Sequence, residues 1–346
     1  MIKKDIKNFS FGKTQYFLKK NKFQSFRAKQ ITNWLRKKNV SSFEEMKNLP
    51  KKLIDFLKNN FFISNIEIKD FQKSEIDDTV KFLFQLSDNQ EIEGVLIPSK
   101  NNRITACIST QVACILSCKF CATGQLKFQR NLFFHEIYEQ VFILNEKAKE
   151  IFGKHLSNIV IMGMGEPLLN YENTMEAIDL MMSEKEGLGI SHQRITLSTV
   201  GISDGIKQLA DDNFKCNLAI SLHTANEIKR KHITNSKDNL DEIKDSIEYF
   251  YEKTKKRITY EYILFDKFND SLEDAKKLAN FCKISPCKIN LIEYNPTNND
   301  IFSKSTEKNT KKFMDFLSDK NLIVNLRKSK GQDILASCGQ LANSKK

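Results

Sequence analysis

Hydrophobic and polar positions change their spacing twice along the chain, and each spacing predicts a different kind of element. In the first 60 residues apolar positions recur at helical spacing, which predicts helices over Ser25–Lys38, Ser42–Met46 and Pro50–Asn60. The second of these begins with a Ser-x-x-Glu spacing that is typical of a helix N-terminus. We therefore predict a compact helical unit at the start of the chain.

Between about residues 66 and 112 the apolar positions alternate with a period of two. Three alternating runs, at 79–86, 90–98 and 103–109, predict three short strands. The turn-forming residues 87–89 join the first two runs into a hairpin. We predict a small β-rich connector that leads directly into the next part of the chain.

From residue 113 onward, strand patterns alternate with helix patterns. The predicted strands are Asn158–Met162, Gln193–Thr199, Asn217–Leu222, Arg257–Leu264, Lys288–Tyr294 and Leu322–Leu326, with a seventh near 105–111. The predicted helices lie around 135–151, 172–184, 203–213, 240–255, 271–282 and 307–319. Such alternation predicts parallel βα units, too few for a closed eightfold barrel. We expect an α/β protein with a helical domain at 1–65, a β connector at 66–112 and a partial (β/α)6-type barrel at 113–346.

The positive charge is concentrated at the N-terminus. The net charge is +12, and residues 1–60 alone hold 16 Lys and Arg against 4 Asp and Glu. This distribution fits either a solvated lysine-rich face or a module that binds a polyanion. No apolar run approaches the roughly 18 residues of a membrane span, and the N-terminus lacks a signal-peptide pattern. We expect a soluble, cytoplasmic protein without membrane contact.

Three of the eight cysteines form a tight group. Cys114, Cys118 and Cys121 follow the spacing C-x₃-C-x₂-C, which lets one loop wrap an iron–sulfur cluster and leaves one iron without a protein ligand. An iron of this kind is an open, reactive position. Two alternatives remain open at this stage: a zinc site completed by His135 or Cys107, and three ordinary buried thiols.

The spacing, with Phe120 directly before the third cysteine, resembles the signature of the radical S-adenosylmethionine superfamily. Four further segments resemble one branch of it, the RlmN family of dual-specificity adenine-C2 methyltransferases of ribosomal and transfer RNA. These segments are Gly163–Asn170, Ser221–His223, Glu293–Pro296 and Ser337–Gln340. The resemblance covers nearly the whole chain, and it implies a radical-SAM partial barrel.

The resemblance implies two cofactors: a 4Fe-4S cluster on the three grouped cysteines, and S-adenosyl-L-methionine, two molecules per turnover. The implied contacts to the second cofactor are Gly165, Glu166, Ser198, Ser221, Leu222, His223 and Asn295. Each lies at or near the end of a predicted strand, where parallel barrels collect their active sites. Taken singly, Gly165 and Glu166 also suit an ordinary tight turn, and His223 suits a structural histidine.

The resemblance also implies three catalytic residues. Cys338 is the methyl-carrying cysteine, Cys107 is the partner thiol that forms a transient disulfide with it, and Glu93 is the proton acceptor. Without the resemblance, Glu93 is better explained as an exposed strand residue. A thiol carrier makes chemical sense, because adenine C2 has no nucleophilic lone pair for direct methyl displacement, whereas a carbon radical can add to the ring.

The implied substrates are an adenosine in 23S rRNA and adenosine 37 in the anticodon loop of tRNA, which would be unstacked into the barrel mouth. The basic helical domain would anchor the RNA. An electron donor such as flavodoxin is implied, and we expect a monomer. Cys216, Cys282 and Cys287 are expected to pack as small apolar groups. Two rivals are the related adenine-C8 rRNA methyltransferases that confer antibiotic resistance, and a non-catalytic zinc or RNA-binding protein.

Overall fold

The computed structural model describes residues 3–297 and 301–342. Its N-terminal part is a small helical unit whose two ends are joined by a short pair of parallel strands. The elements are β1 (Lys4–Asp5), α1 (Phe11–Lys20), α2 (Arg27–Lys37), α3 (Lys51–Asn60) and β2 (Phe61–Phe62). Leu18, Ile31 and Leu53, one from each helix, are buried in the core of this unit.

Two features of this unit differ from the prediction. The predicted helix at 42–46 is a single 3-10 turn, Phe43–Glu45, because Met46 has non-helical backbone angles. Helix α1 was not predicted, because polar residues interrupt its apolar stripe and its start signal is only the Ser10 hydroxyl, which accepts a hydrogen bond from Lys13 N at 3.3 Å.

A ten-stranded sheet forms the rest of the fold. Its first four strands are antiparallel neighbours: β3 (Glu67–Lys73), β4 (Val80–Gln85), β5 (Glu91–Pro98) and β6 (Ile104–Cys107). The predicted connector is therefore part of the barrel sheet, and it contains one strand, β3, that its mostly polar sequence did not reveal. A separate antiparallel pair follows, β7 (Gln111–Val112) and β8 (Arg130–Asn131).

Parallel βα units complete the sheet. The strands are β9 (Asn158–Ile161), β10 (Ile195–Thr199), β11 (Asn217–Ser221), β12 (Ile258–Leu264), β13 (Cys287–Glu293) and β14 (Ile323–Arg327). The helices are α4 (Phe134–Phe152), α5 (Tyr171–Met182), α6 (Ser203–Asp211), α7 (Glu227–Ile233), α8 (Leu240–Thr254), α9 (Leu272–Phe281) and α10 (Glu307–Asp319). The strand order is β14-β13-β12-β11-β10-β9-β6-β5-β4-β3.

The predicted fold class is confirmed. Strand β6 and strands β9 to β14 pair in parallel and correspond to the seven predicted strands. The edge strands of the sheet, β3 and β14, do not pair with each other, so the barrel is partial. Helix α7 was missed in the sequence because it is only seven residues long.

The core lies between the sheet and its helices. Cys216, Cys282 and Cys287 are buried there, as expected, beside large groups such as Tyr260 and Tyr262. Within residues 3–297 and 301–342, no helix combines the length and the apolar character that crossing a membrane requires.

Candidate active site

A cavity of about 240 Å³ opens where the parallel strands end. Its wall includes five of the eight cysteines: Cys107, Cys114, Cys118, Cys121 and Cys338. The first lies on β6, the next three on the loop between β7 and β8, and the last beyond β14. Residues separated by more than 200 positions in the sequence therefore share one small space.

The loop that carries Cys114, Cys118 and Cys121 has a tightly constrained backbone. Ala113 and Ser117 have left-handed φ angles of 64° and 47°, conformations that non-glycine residues adopt only when their surroundings enforce them. Gly124 packs directly on the loop, because a Cβ at this position would lie 2.7 Å from both Cys118 N and Cys118 O.

Each of the three thiols also has a polar group close by. Cys118 Sγ donates to Thr234 Oγ1 at 3.3 Å. The backbone N–H groups of Leu116 and Gly124 oppose the rise in pKa that burial imposes on Cys114 and Cys121. Burial raises the pKa of Cys114 and of Cys118 to about 12, so these thiols are protonated until a metal displaces the protons.

This donor set fits an iron–sulfur cluster. The irons of such a cluster are held by cysteine thiolates, and polar groups near the sulfurs tune its potential. Within the described residues, no three His, Cys, Asp or Glu side chains converge closely enough to hold a single metal ion. The three thiols would hold three corners of a cluster.

His135, which we considered as a fourth zinc ligand, lies elsewhere. Its Nε2 is 3.5 Å from Asp5 Oδ2, where the helical unit meets α4. Burial, with the nearby charges of Lys7 and Arg130, lowers the pKa of His135 to about 3. It belongs to the interface between the helical unit and the barrel, and it does not join the thiols.

Cys107 and Cys338 are the two cavity thiols outside the grouped motif. Cys107 is buried at the end of β6, whereas Cys338 is exposed. Burial raises the pKa of Cys107 to about 12, and the nearby Cys338 thiol adds to this effect. The Arg327 guanidinium lies within electrostatic range of both sulfurs and opposes the shift of Cys107.

Asn295 holds the segment that carries Cys338. Its Nδ2 donates to the Cys338 carbonyl at 3.3 Å, and its Oδ1 accepts from Gln332 Nε2 at 2.9 Å. On the other side, Ala122 N donates to the Gly339 carbonyl at 2.7 Å. The cysteine loop and the C-terminal segment therefore hold each other, and Asn295 is not itself on the described part of the cavity wall.

Gly165 and Glu166 form a buried turn beside the thiols. Gly165 has φ +103°, and a Cβ there would lie 2.6 Å from Gln111 Cβ. The Glu166 carboxylate accepts hydrogen bonds from Val200 N at 2.8 Å and Leu168 N at 3.0 Å, and burial raises its pKa to about 7. The Thr199 side chain is a third hydrogen-bond partner, so about one of the roughly four acceptor positions of a carboxylate remains for a ligand.

Two serines and a histidine line the adjacent wall. The hydroxyls of Ser198 and Ser221 are 3.1 Å apart at the ends of β10 and β11. His223 has a left-handed φ of 57°, and its Nδ1 accepts from Ile263 N at 3.2 Å. Burial lowers the pKa of His223 to about 3, which keeps the ring neutral. Leu222 points into the core and does not line the described wall.

Glu93 is buried, contrary to the exposed strand position that its alternating sequence suggested. Its Oε1 lies 3.2 Å from Lys81 Nζ, and its Oε2 accepts from Ala342 N at 2.8 Å. Glu93 lies beneath the end of the Cys338 segment and outside the described cavity wall. A carboxylate this deeply buried needs compensation, which Lys81 provides.

Three charged residues at the site were not predicted. Arg327 ends β14 and lies 3.8 Å from Glu261, a carboxylate within the otherwise apolar strand β12. Arg230 is buried, donates to the Leu222 carbonyl at 2.9 Å and faces Cys118 electrostatically. The signal for Glu261 was present in the sequence, since a single charge inside a buried strand requires a partner.

Comparison with known proteins identifies the family. Residues 108–282 match the family described as the radical SAM superfamily, and residues 4–63 match the ribosomal RNA large subunit methyltransferase N-terminal domain. The probable dual-specificity RNA methyltransferase RlmN of Cytophaga hutchinsonii is 47% identical over 342 residues, which cover 98% of this chain and 93% of that protein. Its counterpart in Clostridium botulinum strain Eklund 17B is 43% identical over 343 residues, covering 99% and 97%.

A solved structure has the same architecture. The crystal structure of a radical SAM methyltransferase from Sphaerobacter thermophilus superposes with a TM-score of 0.90 at 33% sequence identity, covering 99% of this chain and 100% of that chain. The family of the barrel, that of the helical unit, and the full-length relatives agree with one another. The chain therefore belongs to the RlmN family of radical S-adenosylmethionine RNA methyltransferases.

Proposed function

We propose that this enzyme methylates C2 of adenosine, in 23S rRNA and at adenosine 37 of tRNA, through a methyl group carried on Cys338. The observation that carries the proposal is the presence of two additional thiols, Cys107 and Cys338, in the cavity of the three cluster-type thiols. Iron ligation alone explains three cysteines. A carrier and a resolving thiol explain the other two.

The cluster and the sulfonium cofactor, when bound, would supply a methyl group and a 5′-deoxyadenosyl radical. We assign their binding to the three thiols of the 114–121 loop and to the polar groups at the strand ends. The Ser198 and Ser221 hydroxyls and the remaining acceptor position of Glu166 present acceptors and donors suited to an amino acid and a ribose. Asn295 acts indirectly, by donating a hydrogen bond to the backbone carbonyl of Cys338.

Cys338 is suited to the carrier role because it is exposed in the cavity. Its sulfur would hold the methyl group as a thioether and then join the protein to the RNA through one carbon. Cys107 would attack the Cys338 sulfur and break its bond to the methylene carbon, which takes up a proton and leaves as the methyl group of the base. The resulting disulfide is reduced by two successive exchanges with external thiols, which restores both cysteines. Arg327 favours this attack, because a cation stabilises the thiolate that acts as the nucleophile.

Glu93 remains our candidate for the acceptor of the adenine C2 proton, and its surroundings define what that role requires. Both carboxylate oxygens face partners, Lys81 and the Ala342 N–H. The C-terminal segment at Ala342 would have to shift for Glu93 to reach a base in the cavity. Because the same segment carries Cys338, movement of Cys338 and exposure of the Glu93 carboxylate would be linked.

RNA binding by the helical domain is supported by its charge. The whole net positive charge of the chain resides in residues 1–60, and contacts of lysine and arginine with phosphates supply most of the salt-dependent affinity for RNA. We propose that residues 1–65 anchor the RNA and that residues 66–112, which carry Glu93 and Cys107, perform the chemistry together with residues 113–346. We also propose a monomer that takes electrons from a flavodoxin-type donor.

The test is an anaerobic reaction of the reconstituted protein with 23S rRNA or tRNA and methyl-labelled S-adenosylmethionine, followed by nucleoside mass spectrometry. The proposal predicts labelled 2-methyladenosine from both RNAs. Labelled 8-methyladenosine would instead assign the C8 reaction. Bound zinc, with no 5′-deoxyadenosine formed, would support a structural role for the thiols.

A further inference from the structure

The cations of the cavity wall are confined to one side of its mouth. Every Lys and Arg on the described part of the wall belongs to the segment Arg327–Lys330, at the end of β14 and directly after it. The acidic residues of the wall are Glu166, in the turn after β9, and Glu261, on β12. A ligand that carries negative charge therefore meets an asymmetric entrance. Its charged part is drawn to the β14 side.

The three cations of this segment differ in how they are compensated. Arg327 faces the Glu261 carboxylate at 3.8 Å. Neither Lys328 nor Lys330 has a described carboxylate within 4.0 Å of its ammonium group. Asp77 lies within electrostatic range of Lys330, but its Oδ2 already accepts a hydrogen bond from Gly331 N at 2.9 Å.

The backbone that carries these lysines is fixed. Besides the bond from Gly331 N to Asp77, the Lys330 carbonyl accepts from Ser337 Oγ at 2.7 Å. Asp333 accepts from Ser74 Oγ at 2.8 Å, which ties the same loop to the turn before β4. The loop backbone that carries these lysines is thus fixed beside the cavity, and Lys328 is exposed. Binding a ligand here therefore requires ordering of the lysine side chains but not of the loop that carries them.

A nucleotide that enters the cavity base-first leaves its phosphates at the rim. Lysine ammonium groups act as point charges that suit phosphate oxygens, and extrusion of a base costs a few kcal/mol that such contacts offset. We propose that Lys328 and Lys330 bind the RNA phosphates that flank the target adenosine, and so fix the side from which it enters. This inference rests on the proposed RNA methylation, because it assigns the phosphate subsite of the same cavity.

The experiment measures binding of an anticodon stem-loop RNA by the reconstituted full-length protein as a function of salt. The Lys328→Ala/Lys330→Ala double variant is compared with Lys311→Ala/Lys312→Ala, which removes the same charge from the exposed surface of α10. Each phosphate contact contributes about 0.7 to 0.9 to the slope of log K against log salt. We expect the slope to fall by about 1.4 to 1.8 in the rim variant and to stay unchanged in the control.

A second arm places the contact on the RNA. Neutral methylphosphonate linkages replace the two phosphates that flank the target adenosine, and in a control RNA they replace two phosphates in the stem. The flanking substitution should weaken binding to the wild type at least fivefold yet leave the rim variant within twofold, since both changes remove the same contacts. Additive losses, or equal slopes in the two double variants, would overturn the proposal.

The outcome also separates this inference from the proposed function. If the protein does not act on RNA, the wild type shows no specific binding and forms no methylated nucleoside. If only the phosphate subsite is wrong, the wild type binds and methylates RNA while the rim variant behaves like the control. Weaker binding of S-adenosylmethionine in the rim variant, with unchanged RNA binding, would assign the lysines to the cofactor and would contradict the inference.

Discussion

Replacing Gly165 by alanine tests whether the turn beside the thiols requires a residue without a side chain. The position has φ +103°, and an added Cβ would meet Gln111 Cβ at 2.6 Å, Cγ at 2.7 Å and N at 2.8 Å. A non-glycine residue at such a φ costs about 1 to 3 kcal/mol. Overpacking of a buried contact costs about 1 to 3 kcal/mol more. We expect Gly165→Ala to lower the free energy of unfolding by about 2 to 6 kcal/mol.

Gly153→Ala is the matched control. Gly153 also has a positive φ, +69°, but an added Cβ there has no heavy atom within 4 Å. This variant should lose only the conformational contribution, about 1 to 2 kcal/mol. Urea unfolding of both variants measures the difference, provided that their m values agree.

The same substitution should affect the cofactor. Gln111 Oε1 accepts a hydrogen bond from Glu166 N at 3.0 Å, so displacement of Gln111 also displaces Glu166. Gly165→Ala should weaken S-adenosylmethionine binding at least tenfold, while Gly153→Ala should leave it unchanged. Equal losses of stability in the two variants, or wild-type cofactor binding by Gly165→Ala, would refute this reasoning.

Two further predictions concern the interface between the helical unit and the barrel. Lys7→Met leaves Glu139 buried without its 3.0 Å partner, and we expect a loss of about 3 to 5 kcal/mol in urea unfolding. Lys73→Met removes an exposed pair with Asp78 and should change stability by less than about 1 kcal/mol; similar effects would contradict the assigned burial. His135, with a folded-state pKa of about 3, gains a proton only on unfolding, so its contribution is complete above about pH 6.5 and is lost as the pH falls. His135→Gln should flatten the stability profile between pH 6.5 and 5 by about 1.5 kcal/mol, and an unchanged profile would exclude a neutral buried ring.

The parallel strands were predictable because burial on both faces leaves continuous apolar runs, as in Asn217–Leu222 and Arg257–Leu264. Helix α1 and strand β3 were not predicted, because their side chains are largely polar and each is stabilised by packing or pairing with the next element, α2 or β4. Local spacing carries little information about such elements.

The residues of the site likewise divide into those that local sequence spacing predicts and those that it does not. The three grouped thiols are predictable because their spacing is local. The convergence of Cys107 and Cys338, more than 200 residues apart, required the resemblance to a family, and the structure supplies the shared cavity. The pairing of Arg327 with Glu261 depends on strand order, since these residues lie on β14 and β12 with β13 between them. The alternation of apolar and polar residues along its strand indicated an exposed Glu93, but Lys81 on the neighbouring strand permits its burial.

The most direct test of the account follows the thiols through one reaction. Cys107→Ala is incubated anaerobically with methyl-deuterated S-adenosylmethionine and tRNA, and the products are digested and analysed by mass spectrometry. The account predicts 5′-deoxyadenosine together with RNA linked through one deuterated carbon to the peptide that contains Cys338. The linked species should be absent from Cys338→Ala. RNA attached to any other residue, or a linked species that persists without Cys338, would contradict the assignment of the methyl carrier.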